Sequence, residues 1–503
     1  MYNSKGIKNL VVGLISKILA FGLGVVIPRL VLVNLGSEAN GLLSSVTSIM
    51  TYMSLLEAGV GTASLQALYK PCSCKDKQEI NQILSATNHF YHRTGLIYFI
   101  CIIILSLGYP AFVQSNIPKV DVFVVVFLTG ITGVLTYLYQ GKFKIFLTAE
   151  GKNYIVIGIV TVTNIVANIT KASLLLLGFG IVSIQMSFCL LNVVQIFAYY
   201  KYVRRHYPWL NVNVKPNYDA ISQRNAALIH QIAAMIFSNT DILVLTVFTS
   251  LKEVSVYSMY ALIYGMVGAI AETLYESYRY AIGQSFHSNK EKFIQLFNTY
   301  EVFVLIISFS FFAICRQLIN PFLELYTSGI HDIEYIDKYL PWLFAVFYIL
   351  NNGRTSAITI INVSEQFENT KWRAILESFI NVTVSLIAVK RFGIYGVLIG
   401  TVAALLYRTN DMIIYASKIL ERSCLISYRR WIINIIAFAV ASLLYKGIRY
   451  VGTTYFQLAT YALGLSGITF ITFLVLNCIF DSKYIRYVVN VIMASLNSKR
   501  NRK

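Results

Sequence analysis

Charge is scarce in this chain. Of its 503 residues only 13% are Asp, Glu, Lys or Arg while 56% are hydrophobic, whereas an ordinary soluble domain carries about a quarter charged residues. Too few polar groups exist to clothe a water-facing surface, which excludes a soluble globular protein and points to a membrane. Acid is scarcer than base, 23 residues against 42. The resulting net charge of +19 would suggest nucleic acid in a soluble protein, but here the bases gather in short loops on alternate sides of apolar runs. Proline is limited to 8 residues, so the apolar runs are free to be helices. Cysteine offers little chemistry: Cys101, Cys189, Cys315 and Cys478 fall in apolar runs as small hydrophobes. Cys72-Ser73-Cys74 lacks the second ligand pair of a zinc site, so no metal is expected. No removable leader is expected, because the first apolar run is too long for a signal sequence and has no small-residue cleavage site before Leu35.

At about 20 residues per crossing, about fourteen spans begin near residues 9, 41, 93, 120, 153, 179, 224, 254, 297, 337, 371, 393, 430 and 454. The expected fold class is therefore all-α and polytopic. Of the Lys and Arg residues, 29 fall on one side of the membrane and 7 on the other. Positive residues stay on the cytoplasmic side, so both termini are expected there. The six others, Lys17, Arg29, Lys171, Arg316, Arg354 and Arg408, lie within apolar runs.

The connection from Tyr199 to Asn225, with Arg204, Arg205, Pro208 and Pro216, reads as a boundary between halves. At a shift of about 214 residues, Phe179-Gly180-Ile181 recurs as Phe392-Gly393-Ile394 and Ala149-Glu150 as Ser364-Glu365. The turn Leu35 to Leu42 falls opposite Thr249 to Val256. This organisation gives a six-helix bundle over 1–205, a second over 217–423, and two further helices with a basic tail over 424–503. Parallel repeats of this kind place a polar site where the halves meet.

The span from Asn9 to Leu35 contains both Lys17 and Pro28-Arg29. A charge at mid-bilayer costs about 2.5–3.5 kcal/mol on insertion scales, and proline removes a donor that no water replaces. Such a helix is expected to wall a polar chamber. On an ideal helix Lys17 and Arg29 stand about 120° apart and share a face only if Pro28 bends the span; snorkelling to the two interfaces is the competing reading. Arg354 stands in the polar patch Asn351-Asn352-Gly353-Arg354-Thr355-Ser356. Arg408 has Asp411 three residues on, so an internal ion pair competes with ligand contact. Lys171 and Arg316 read as anchors near span ends. Among the acids, Glu57, Asp241, Glu272 and Asp411 are candidates to hold a proton or sodium ion, with pairing to the bases as the alternative. Glu276 and Arg279 read as a gate or surface pair.

Other features carry little chemistry. His89-Phe90-Tyr91-His92 lacks a third metal ligand and reads as a solvated helix face. Asn168-Ile169-Thr170 and Asn381-Val382-Thr383 are sequons inside spans. The basic tail suits anionic headgroups. Tyrosines fit interface belts first, with Tyr257, Tyr260 and Tyr264 as candidates to stack on sugars.

Lys8-Asn9 leads into a span ending Pro28-Arg29, followed by Leu35-Gly36-Ser37-Glu38-Ala39-Asn40-Gly41-Leu42 and Glu57-Ala58-Gly59-Val60-Gly61. Together with Asn239-Thr240-Asp241-Ile242-Leu243-Val244 and Val254-Ser255-Val256-Tyr257, this resembles the Wzx-type polysaccharide repeat-unit flippases of the multidrug/oligosaccharidyl-lipid/polysaccharide (MOP) exporter superfamily. The resemblance implies alternating access in the bacterial plasma membrane. An undecaprenyl-pyrophosphate-linked oligosaccharide would pass from the inner to the outer leaflet for O-antigen, capsule or lipopolysaccharide synthesis. An H+ or Na+ gradient is the expected drive, with no cofactor, and a polymerase and chain-length proteins are the expected partners. A pyrophosphate-sugar headgroup needs fixed positive charge, with Arg preferred for forked phosphate contacts. Lys17, Arg29, Arg354 and Arg408 are the substrate-binding candidates.

Three other functions compete. A small-molecule cation antiporter of the same superfamily would want a compact pocket rather than an excess of bases. A membrane polysaccharide polymerase or glycosyltransferase would want a large outer loop or an acidic metal site, and the first outer loop has one carboxylate, Glu38. A non-transporting scaffold has little reason to keep bases in its spans.

Overall fold

The structure, a computed structural model, describes residues 4–56, 59–221, 239–286, 290–364, 366–447, 450 and 452–500. Those residues are mainly helical, with no strand among them. Eleven of the helices are long and apolar enough to cross a membrane. Large apolar side chains such as Ile18, Leu107, Leu176 and Leu463 stand exposed along these helices. Such surfaces are at home against acyl chains and costly in water. The chain is a multi-pass membrane protein.

Three expected spans lie outside the eleven, each for a local reason. Span two continues from span one in α1 (Ser4–Met53), whose 50 residues would reach about 75 Å if straight. Helical dihedrals hold through Pro28 and break at Gly36, where φ is 83°. Beyond that break Thr47 lines the same cavity as Ser16, Leu23 and Pro28, so the two arms of α1 fold alongside one another. Span seven is described only over α8 (Asn239–Phe248). Span ten is divided by Arg354 into α11 (Leu340–Gly353) and α12 (Thr355–Val363).

The remaining elements are α2 (Val60–Cys74), α3 (Lys77–Phe112), α4 (Lys119–Leu135), α5 (Gly141–Ala149), α6 (Asn153–Leu176), α7 (Ile181–His206), α9 (Leu251–Phe286) and α10 (Lys290–Tyr326). They continue with α13 (Phe367–Phe392), α14 (Ile394–Ile419), α15 (Leu425–Tyr445) and α16 (Tyr455–Arg500). The repeated Phe-Gly-Ile words occupy equivalent places: Gly180 is the N-cap of α7 and Gly393 the N-cap of α14.

Two compact units result. The first comprises Met1–Ser258 with Gly329–Ile333 and the second Met259–Ser328 with Glu334–Lys503. In the first unit, Val31, Leu42 and Val46 of α1 pack with Val125 of α4, Ile184 of α7 and Leu251 of α9. The approach of α1 to α9 is so close that a Cβ on Gly41 would lie 1.8 Å from the Leu251 carbonyl oxygen. A further apolar cluster joins Leu68, Ile83, Phe146 and Tyr199 from α2, α3, α5 and α7. In the second unit, Phe297 and Val304 of α10 pack with Tyr275 of α9, Ile360 of α12 and Met412 of α14.

Candidate functional site

The second unit contains a chain of buried charges around the break between α11 and α12. Asn352, Gly353 and Thr355 flank Arg354 within an otherwise apolar stretch, and the helix resumes after it with the Ile358 amide donating to the Arg354 carbonyl at 3.0 Å. Arg354 donates to Glu377 Oε1 at 2.5 Å and to Asn351 Oδ1 at 3.0 Å. Glu377 Oε2 lies 3.4 Å from Arg408 Nε. Arg408 donates to Asp411 Oδ2 at 2.6 Å, and Asp411 Oδ1 accepts from Arg373 at 2.6 Å. Arg373 and Glu377 share one face of α13 at i,i+4, and Arg408 and Asp411 share one face of α14 at i,i+3, so α13 packed on α14 aligns all four.

Arg354, Glu377 and Arg408 are each at least 92% buried, where an uncompensated charge costs several kcal/mol. Pairing makes the cluster tolerable: among the described residues three guanidiniums face two carboxylates. Arg373, more exposed and stacked on Tyr415 at 4.7 Å, is the edge of the cluster nearest solvent or lipid. Chemically, the clustered guanidiniums present fork-shaped donors whose geometry matches oxyanions.

The structure thus brings together Arg354, Arg408 and Asp411 and adds Glu377 and Arg373 to them. Lys17 and Arg29 belong to the first unit, Lys17 exposed and Arg29 half-buried on α1. Beside them a cavity of about 520 Å³ is lined by Ser16, Thr47, Thr161, Asn164 and Asn168 together with Pro28. Polar groups on both arms of α1 and on α6 therefore converge within the membrane-spanning part of this unit.

Asp241 is buried at the end of another polar series. Its Oδ2 accepts from the Tyr257 hydroxyl at 2.7 Å, and its neighbour Thr240 shares a 2.8 Å hydrogen bond with Tyr52. Nearby on the same helix Thr246 donates to Ser45, which also accepts from Tyr109, both at 2.7 Å. Glu272 pairs with Arg279 at 2.7 Å, two turns along α9, whereas the sequence had suggested Glu276 as the partner of Arg279. Glu57 lies outside the described residues. Of the tyrosines, Tyr260 and Tyr264 are fully buried against Phe344 and donate to the carbonyls of Tyr335 and Pro341. Their faces are packed protein, not open to a sugar.

A second buried charge cluster was not legible beforehand. Glu301 of α10 accepts from Arg422 at 2.8 Å and from Arg430 of α15, while Asp481 of α16 accepts from Arg429 at 3.0 Å and lies 3.4 Å from Arg430. Arg430 is among the largest fully buried side chains of the described residues, although its position in the sequence reads as a basic loop. The signal available was slight: Glu301 and Asp481 are lone acids in apolar runs.

No protein-family model and no curated relative matches the sequence. Solved structures do match in shape. The lipid II flippase MurJ in an inward closed conformation superposes with a TM-score of 0.70 at 14% identity, over 95% of this chain and 100% of that one. An inward-facing multidrug-resistance MATE transporter of the MOP superfamily matches at 0.65 and 14% identity, over 82% and 98%. An outward-facing one matches at 0.56 and 15% identity, over 82% and 93%. The fold is that of MOP transporters. The match to MurJ takes in more of this chain than the matches to the MATE structures, 95% against 82%.

Proposed function

We propose that the chain is a flippase of the Wzx type. It moves an undecaprenyl-pyrophosphate-linked oligosaccharide repeat unit from the inner to the outer leaflet of the bacterial plasma membrane by alternating access, with both termini cytoplasmic. The observation that carries this reading is the buried Arg354–Glu377–Arg408–Asp411–Arg373 network, which among the described residues gathers three guanidiniums around two carboxylates. A cation exporter has no use for buried positive charge, whereas a diphosphate cannot cross hydrocarbon without it. The likeness to MurJ over nearly the whole chain supports a lipid-linked cargo.

In this reading the arriving diphosphate takes the donors that Glu377 and Asp411 occupy in its absence. A proton or Na+ neutralises the displaced carboxylate, which couples the step to an ion gradient without a resident cofactor. Lys17 and Arg29 are further candidate headgroup contacts, within the first unit. Asp241 and Glu272, with Glu57, are further carriers of the coupling ion. The exported unit would pass to a polymerase and its chain-length proteins.

The test is complementation of a flippase-deleted strain, reading lipid-linked repeat units that accumulate on the cytoplasmic leaflet. Lys17→Ala, Arg29→Ala and Arg354→Ala are expected to insert yet fail to clear the intermediate, with Arg354→Lys intermediate between them and wild type. Full rescue by all three alanine variants would remove the cationic mechanism. Export of a cationic dye without any flipping would assign the chain to small-molecule antiport instead.

A further inference from the structure

A separate pocket of about 890 Å³ lies wholly in the first unit, away from the charge network and from α1. One wall is α7, which contributes Val193, Ile196, Phe197, Tyr200 and Arg204. These positions follow i, i+3, i+4, i+7 and i+11, a single helical stripe that changes from aliphatic to aromatic to basic along its length. The opposite wall is the continuation of α4 into α5, contributing Leu135, Tyr139, Lys142 and Phe143, again graded from apolar to basic. Residues 150–152 join α5 to α6 and residues 177–180 join α6 to α7; connections this short reverse the chain twice, so the two walls run the same way and their basic ends coincide. The chain that leaves α7 closes this end with Trp209, Asn211 and Asn213.

Two further observations suit a ligand here. The helix wall is interrupted by a π-helical turn over Thr136–Gln140, a distortion that re-aims side chains and concentrates at functional sites; Tyr139 on that turn and Lys142 just after it both line the pocket. The mouth is apolar and unshielded, with Phe197 66% and Tyr200 49% exposed. Lys142 donates to Asn88 at 2.7 Å, which fixes its position and leaves two of its three N–H donors for another acceptor.

We propose that this pocket holds an anionic glycerophospholipid of the bilayer. Its phosphate sits between Lys142 and Arg204, and its acyl chains run along Leu135, Val193, Ile196 and Phe197 into the surrounding membrane. The polarity gradient common to both walls selects an amphiphile over a soluble anion, and the basic end selects an acidic headgroup over a zwitterionic one. Tyr139, Tyr200 and Trp209 lie at the transition, where aromatic rings favour the headgroup boundary. The site is independent of the transported cargo.

The experiment uses the full chain with Trp342, Trp372 and Trp431 replaced by Phe, leaving Trp209 as the reporter, in nanodiscs of graded composition. Brominated phosphatidylglycerol is expected to quench Trp209 at about tenfold lower mole fraction than brominated phosphatidylcholine, given the attraction of two basic groups. The K142A/R204A double variant should lose that preference and the K142R/R204K variant should keep it, which separates loss of charge from loss of fold. Equal quenching by the two lipids, or a preference unchanged in K142A/R204A, would overturn the proposal. So would quenching relieved by a polyprenyl diphosphate at concentrations where phosphatidylglycerol cannot relieve it, since the pocket would then belong to the cargo.

Discussion

Arg354 and Glu377 stand 23 residues apart in the chain and 2.5 Å apart in space, both buried. Removing one partner strands the other in a low-dielectric interior, at a cost of about 3–5 kcal/mol. Glu377→Ala is expected to lower thermal stability in detergent sharply, because it takes one carboxylate from Arg354 and Arg408 together. Arg354→Met combined with Glu377→Leu should be less damaging than the sum of the singles. A double-mutant cycle on melting temperature checks this, and strict additivity would show that the pair contributes no coupling.

Gly41 permits α1 to touch the carbonyl of Leu251. Gly41→Ala places a methyl group inside that oxygen's radius, and backbone cannot step aside as a flexible side chain would, so the loss should exceed about 3 kcal/mol. Gly158→Ala, where no atom approaches within 4 Å, should be neutral or gain up to about 1 kcal/mol from helix propensity. Yield of monodisperse protein and melting temperature compare the two.

Asp332 reaches the bend in α1 from the segment Gly329–Ile333. Its carboxylate accepts from the Ser37 amide at 2.9 Å and from the Ser37 hydroxyl at 2.7 Å. Burial acts to raise its pKa, but the two Ser37 bonds and the nearby Lys252 charge outweigh it and hold the group below its ordinary value. A depressed folded-state pKa stabilises above the unfolded value of about 3.9, and that stability fades as pH falls through the lower folded value. Because Asp332 is exposed, the effect should be no more than about 1 kcal/mol. Melting temperatures from pH 7 down to pH 3 should show Asp332→Asn converging on wild type at the acid end. A gap that persists undiminished there would contradict this account.

Glu301 gathers Arg422 and Arg430 and thereby pins α15 to α10. Glu301→Ala should open the segment around Arg422 and speed trypsin cleavage there, by about tenfold for each 1.4 kcal/mol lost in the local closing equilibrium. Cleavage at an unchanged rate would mean that apolar packing alone holds α15.

Hydropathy and the spacing of bases along the chain determined the all-helical class, the approximate places of the spans and the repeated Phe-Gly-Ile turns. These signals are local, since a helix buries or exposes residues according to its own period. Arg408 and Asp411 were legible as a pair for the same reason, being three residues apart on one helix. Tertiary structure alone decided that Glu377 joins two arginines, that Arg430 is buried rather than a loop base, and that Asp332 meets Ser37 from 295 residues away. It also decided that α1 breaks at Gly36 rather than at Pro28. The energy of a buried charge depends on which helices come to lie beside it, and that choice is made by packing between segments far apart in the chain, where no periodicity carries the information.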